Sequence, residues 1–175
     1  MIDIHLRELT HNDLPTLNNW RNDPEVIQFL GANFHFIGPA VDSQWFDAYL
    51  ASRSTAVRLA IVVSDLNLFV GIVNLTTIHA INRSAEFSIM LGDKEFWSKG
   101  IGHQATKQTL RHGFFNLNLH RIYLSVLSTN TRAIKLYKRL GFREEGMQID
   151  AIFKEGTFCD LINMALIKKE FHVNH

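Results

Sequence analysis

One stretch, Phe96-Trp97-Ser98-Lys99-Gly100-Ile101-Gly102-His103-Gln104-Ala105, constrains this chain more than any other. It follows Ala85 to Leu91, where apolar and polar residues alternate. It opens Gly100 to Leu117, which carries Ala105, Leu110, Phe114 and Leu117 on one apolar side. The stretch is therefore a strand-to-helix turn. Two glycines let a backbone approach a ligand closely, and a helix start offers unpaired N–H groups, so the turn suits a pyrophosphate. Lys99 adds a positive charge and Ser98 a hydroxyl. Gly100, Gly102 and Ala105 also satisfy the dinucleotide pattern G-x-G-x-x-G/A. That fold expects a carboxylate at the end of the next strand to hold a ribose, and here the strand ends Leu127-Ser128-Thr129-Asn130. Its preceding strands should also be βαβ, whereas these look antiparallel. A tight turn with no ligand is the remaining reading of the turn alone. No P-loop, Gly-x-Ser-x-Gly elbow or His-Glu-x-x-His pattern is present.

The flanking periodicities set the architecture. Met1 to Leu9 alternates, which predicts a strand over about Asp3 to Glu8 and not a signal peptide. Thr10 with Asp13 reads as a helix start, followed by Leu14, Leu17 and Trp20 at helical spacing. Asp23-Pro24 opens a second short helix. A loop from Gly31 to Pro39 carries Phe34 and Phe36. Asp42 or Ser43 is expected to cap a third helix bearing Trp45, Phe46, Tyr49 and Leu50. Val57 to Val63, Leu68 to Ile78 and Ala85 to Leu91 read as an antiparallel meander. After the Gly100 helix come a strand, Arg121 to Leu127, and a helix from an Asn130 cap to a Gly141 stop. Two more strands follow, Phe142 to Gln148 and Phe158 to Ile167. The order β-α-α-α-β-β-β-α-β-α-β-β predicts one α/β domain over residues 1–175. Its sheet would be mixed, mostly antiparallel, with about six to seven strands flanked by helices.

Charge and cysteine content narrow the function. Eighteen Lys and Arg against seventeen Asp and Glu give a net charge of +1, which argues against a general nucleic-acid or membrane-surface binder. Cys159 stands alone, so neither an internal disulfide framework nor a cysteine zinc cluster can form. It reads as a half-buried structural thiol and fits a reducing compartment. No apolar run approaches the roughly 20 residues that span a bilayer, so the cytoplasm is the expected location. The nine histidines are scattered, with His172 and His175 in the tail, and no metal is expected.

A second element lies about thirty residues beyond the glycine turn: Asn130-Thr131-Arg132-Ala133-Ile134-Lys135-Leu136-Tyr137-Lys138-Arg139-Leu140-Gly141-Phe142. The spacing of Gly100 and Gly102, Asn130-x-x-Ala133, Tyr137 and Leu140-Gly141-Phe142 resembles the GCN5-related N-acetyltransferase (GNAT) superfamily. Ala85-Glu86-Phe87, Leu117-Asn118-Leu119-His120-Arg121 and Arg143-Glu144-Glu145-Gly146 are similar to the branch of ribosomal-protein N-terminal and spermidine acetyltransferases. The likeness is strong from about Gly71 to Leu166 and much weaker before Val70.

The resemblance implies acetyl-CoA as co-substrate and direct transfer of its acetyl group to a primary amine. Backbone donors from Trp97, Ser98, Lys99, Gly100, Ile101, Gly102 and His103 would hold the CoA pyrophosphate. The family usually has Gln or Arg where this chain has Trp97, which removes one side-chain contact and leaves the backbone cradle. Ile89, Met90 and Leu91 match the strand positions that meet pantetheine and the acetyl group, beside a splay between strands. Tyr137 matches the family's tyrosine acid, although its helical spacing alone equally suits core. Asn130 matches a CoA contact and can cap its helix at the same time. Glu86 matches a carboxylate of the branch and is the candidate base; it could instead orient water or substrate, or pair with Arg83. His79 and His120 are weaker helpers. Arg132, Lys135, Lys138 and Arg139 form a basic helix face, either solvated or drawing CoA phosphates with His103 and Lys107.

The acceptor stays open among amino-sugar nucleotides, aminoglycosides, polyamines and protein N-termini. Trp20-Arg21-Asn22-Asp23-Pro24 resembles a segment common among such acetyltransferases. A polyamine site wants clustered carboxylates. The loop Gly31-Ala32-Asn33-Phe34-His35-Phe36 has none, which argues against spermidine. Phe34, Phe36 and Trp45 could line a pocket or belong to the core. A non-catalytic acyl-CoA-binding module on the same fold is the alternative function, and a homodimer is compatible with either.

Overall fold

Alternating apolar residues build a sheet that must be covered on both faces, and the helices divide between those faces. The computed structural model describes residues 2–32 and 36–172. Its elements run β1 (Ile4–Glu8), α1 (Leu14–Arg21), α2 (Pro24–Ile27), α3 (Pro39–Ala51), β2 (Val57–Val63), β3 (Leu68–His79) and β4 (Ser84–Leu91). They continue with α4 (Ile101–Arg111), β5 (Arg121–Leu127), α5 (Thr131–Arg139), β6 (Arg143–Lys154) and β7 (Thr157–Ile167). This is the order that the sequence predicts. The strands form a seven-stranded sheet, β1-β2-β3-β4-β5-β7-β6. Every neighbouring pair is antiparallel except β4 and β5.

One core contains Val73, Leu75, Phe87, Ile122 and Leu124 from the sheet, with Ile101, Ala105 and Leu110 of α4 and Ile134 and Tyr137 of α5. The other contains Ala60, Ile72 and Met90 from the sheet, with Leu14 and Leu17 of α1 and Phe46 and Tyr49 of α3. Period-two side-chain direction thus sends Phe87 to one core and Met90, three residues on, to the other. Among the described residues no helix is long and apolar enough to cross a membrane.

Three expected boundaries are corrected. Helix α3 starts at Pro39 after Gly38, not at an Asp42 or Ser43 cap. Proline at the first helical position supplies the fixed φ that a helix start needs. Asp42 is instead fully buried, where it pairs with Arg21 and accepts from the Asn18 amide at 2.6 Å. The helix after Gly100 is α-helical only to Arg111, and a wider π-type turn, His112–Asn116, carries the chain on. Strand β6 runs to Lys154, beyond the expected Gln148, because irregularities between Glu144 and Gly146 and between Gln148 and Ile152 break its alternation. Phe34, His35 and His175 lie outside the described residues, so a lining role for Phe34 has no structural counterpart here. Phe36 is exposed, whereas Trp45 is half-buried against the second core. Cys159 is half-buried, as expected.

Candidate active site

The site begins where β4 and β5 separate. Their parallel pairing covers only Ser84↔Arg121, Ala85↔Ile122 and Glu86↔Tyr123. Beyond it β4 continues on β3 to Leu91↔Gly71, and β5 continues on β7 to Leu127↔Leu161. The two strands therefore diverge, leaving one side of β4 without a strand partner from Phe87 onward. Which backbone groups face this opening follows from the ladder. The Gly92 N–H donates to Val70 O at 3.0 Å, on the side of β3. Antiparallel pairs alternate, so Met90 and Ser88 also turn their backbone to β3, while Phe87, Ile89 and Leu91 turn theirs to the opening. Of the three expected pantetheine positions, Ile89 and Leu91 present backbone there. Met90 does not; its side chain is buried in the second core.

Trp97, where the family prefers Gln or Arg, serves the fold: its indole N–H donates to Leu91 O at 2.8 Å and ties down the end of β4. The turn then passes through Ser98 at φ 63° and Gly100 at φ 83°. A side chain at Gly100 would be strained in that conformation. The N–H groups of Ile101, Gly102 and His103 have no backbone acceptor among the described residues. They form the open N-terminus of α4, with Lys99 beside them over the Phe96 ring. A Cβ at Gly102 would meet only Leu91 Cδ1 at 3.6 Å and Leu136 Cδ2 at 3.7 Å, which is ordinary contact. Protein packing therefore does not demand glycine there. Burial, then the Lys107 and Arg139 cations, holds the His103 imidazole below its ordinary range. Asn130 caps α5, accepting from Ala133 N–H at 3.1 Å, and its amide nitrogen has no partner among the described residues.

Tyr137 projects from α5 into the first core. Its ring meets Phe87 edge-on, with centroids 6.1 Å apart, and Phe142 at 5.6 Å. Burial among these groups pushes the phenol above its ordinary value, and its hydroxyl has no hydrogen-bond partner among the described residues. Glu86 precedes Phe87 on β4, so its half-buried carboxylate points to the opposite face. Glu86 thus lies at the mouth of the opening, with Tyr137 across the sheet. Glu86 does not pair with Arg83, whose guanidinium binds Asn118 O at 3.0 Å. The neighbouring Tyr123 phenol is raised by burial and then by the charge of Glu86. His79 is held in a turn, accepting from Asn82 N–H at 3.1 Å, and His120 is exposed.

Sequence reasoning missed a polar row on the Glu86 face. Arg58, Asn74 and Ser88 are paired across β2, β3 and β4. Arg58 Nη1 donates to Asn74 Oδ1 at 3.3 Å, and Asn74 Nδ2 donates to Ser88 Oγ at 3.1 Å. The one signal in the sequence was Arg58, the single polar residue of the otherwise apolar β2. Across β5 a cavity of about 300 Å³ is lined by Tyr123, Ser125, Asn163 and Glu145, the last paired with Arg121. Among the described residues no group of three metal-ligating side chains comes together.

Interrupted parallel strands beside an unpaired helix start are the arrangement that the resemblance assigns to a CoA-dependent transferase. Residues 3–143 match the family model of the acetyltransferase (GNAT) domain. The spermidine N(1)-acetyltransferase of Escherichia coli K12 is 34% identical over 98% of this chain and 90% of its own length. An uncharacterized N-acetyltransferase, p20, of Bacillus licheniformis is 30% identical over 95% of this chain and 93% of its own. The crystal structure of spermidine N-acetyltransferase from Vibrio cholerae with CoA and spermine superposes with a TM-score of 0.90 at 27% identity. That match covers 95% of this chain and 96% of the other. The chain belongs to the GNAT acetyltransferase family, and its activity is acetyl-CoA-dependent N-acetylation of an amine.

Proposed function

We propose that acetyl transfer takes place in the opening between β4 and β5, with Glu86 serving the amine and Tyr137 the departing sulfur. One observation carries this reading: pairing stops after Glu86↔Tyr123, which leaves unpaired β4 backbone between those two side chains. The amides of residues 98–103 hold the pyrophosphate, aided by Lys99 and by the free amide nitrogen of Asn130. The Ile89 backbone and the Leu91 N–H bind the pantetheine arm, the Leu91 carbonyl being held by Trp97, and an N–H of this set polarises the thioester carbonyl. Such a donor contributes about 3–4 kcal/mol to an oxyanion transition state.

An alkylammonium with pKa near 10 is mostly charged at neutral pH, so a proton must leave before the nitrogen attacks. Glu86 accepts it, directly or through water. The nitrogen then bonds to the thioester carbon, the C–S bond breaks with its electron pair going to sulfur, and the nitrogen releases its second proton to water, which restores the Tyr137 phenol after that group has given up its own. Tyr137 donates to that sulfur. A free thiol has pKa about 8.5 and a phenol about 10. Burial raises the phenol further, so Tyr137 stays protonated and first gives a hydrogen bond. The proton follows because the same apolar surroundings also raise the thiol. No nucleophilic side chain is needed.

The reading extends to a single domain over residues 1–175 that works in the cytoplasm as a homodimer. The lone cysteine supports the compartment. Exposed Met147, Ile149, Phe153 and Phe158 on the β6–β7 hairpin support self-association. The test of the chemistry is thiol release with a panel of amines. Tyr137→Phe should lower kcat about 100-fold while CoA affinity stays within twofold. Wild-type kcat in that variant would remove Tyr137 from the mechanism.

A further inference from the structure

The polar row on the Glu86 face ends in a guanidinium without an anion. Arg58 Nε is buried and, among the described residues, has no hydrogen-bond partner. The Arg58 guanidinium carbon lies 4.5 Å from the Trp45 ring centroid and 5.6 Å from that of Tyr49. Arg21 stacks 4.0 Å from the same indole. Nearby carboxylates are already occupied: Asp42 by Arg21 and Asn18, Glu8 by Arg53 and the Tyr49 hydroxyl. Burial, then the Arg21 cation, lowers the affinity of Arg58 for its own proton. A partly buried charge with no counter-ion and an unmet N–H is unfavourable, and an anionic ligand would complete it.

Position makes that ligand part of the acceptor. Arg58 is tied through Asn74 to Ser88, and Ser88 is exposed although it sits on a central strand, so this face is open there. Glu86 lies two residues before Ser88 on the same side of β4. Two strand spacings and one step along the strand place the Arg58 and Glu86 Cα atoms on the order of 12 Å apart, a span that the long arginine side chain shortens.

Given the acetyl-transfer reading above, we propose that the acceptor is an amine that also carries an anionic group, a carboxylate or a phosphate, bound by Arg58 while Glu86 receives the amine. Asp42 neutralises Arg21, whereas Arg58 has no carboxylate partner among the described residues, and its charge repels an ammonium placed beside it. The proposal therefore separates this chain from its spermidine-acetylating relatives.

Thiol release is measured with four acceptors: butylamine, γ-aminobutyrate, phosphoethanolamine and spermidine. The expected kcat/KM for γ-aminobutyrate or phosphoethanolamine exceeds that for butylamine about tenfold or more, in line with a charge-assisted hydrogen bond. Whichever anionic amine is preferred identifies carboxylate or phosphate. Arg58→Gln brings that ratio close to one, and Arg58→Lys keeps part of it. Butyrate or inorganic phosphate inhibits the wild type competitively against the amine, a readout that requires no variant to fold. A preference for spermidine or butylamine overturns the anionic subsite and leaves the acetyl-transfer reading standing. So does an Arg58→Gln loss that is equal for every acceptor. CoA binding without thiol release from any of the four overturns both.

Discussion

The two faces of the sheet at the β4–β5 opening are built in opposite ways. The α4–α5 face uses backbone and apolar packing: the amides of 98–103, the unpaired edge of β4, and Tyr137 among Phe87 and Phe142. The α1–α3 face uses charged side chains: Arg21 with Asp42, Arg58 with Asn74, and Glu86. The first arrangement fits a co-substrate that is always the same and so can be bound through groups that every residue possesses. The second relies on particular side chains, as recognition of a particular acceptor requires.

Breaking the charged face should have the largest effect. Asp42→Asn leaves Arg21 buried beside a neutral partner, and breaking such a pair costs about 3–5 kcal/mol, read as a lower urea midpoint. A shift under about 1 kcal/mol would show that this face is not held by its ion pair. Glu86→Gln should lower kcat about 100-fold with CoA affinity retained. An unchanged kcat would move the base elsewhere. On the backbone face, Gly102→Ala should raise the KM for acetyl-CoA about tenfold, or 1.4 kcal/mol. Its melting temperature should stay nearly constant, because the added Cβ meets only ordinary contacts. Equal KM values would place the phosphates off this turn.

The smallest expected effect concerns protons. His103 is held below its ordinary range by burial and by Lys107 and Arg139, so it is neutral at pH 7. As pH falls through about 6.5, the unfolded chain takes up this proton before the folded one does, so stability drops toward lower pH. His103→Gln should remove that component. CoA phosphates near His103 favour its charged form, so binding near pH 6 should take up protons. Calorimetry in two buffers of different ionisation enthalpy measures this, and identical heats would contradict it.

The same contrast governs what could be read from the sequence. Asn130, Gly141 and the Gly100 turn act through local backbone geometry, so their neighbours in the chain reveal them, and the element order followed from periodicity. The splay could not be read, because it depends on where two strands distant in sequence stop pairing. Nor could the exclusion of Met90, which follows from ladder phase. Asp42 resembled a cap because its buried partner, Arg21, lies twenty-one residues away. Arg58, Asn74 and Ser88 meet only across three strands, so each looked like an isolated polar residue. Trp97 departed from the family pattern, and its bond to Leu91 O gives the departure a structural role.

The central claim is that acetyl-CoA lies along the unpaired edge of β4, and residue-resolved amide hydrogen exchange with and without CoA tests it most directly. The Ile89 and Leu91 amides and those of residues 98–103 should gain protection, while Met90, already bonded to β3, should not change. Protection confined to the α1–α3 face, or equal gains at Ile89, Met90 and Leu91, would contradict that claim.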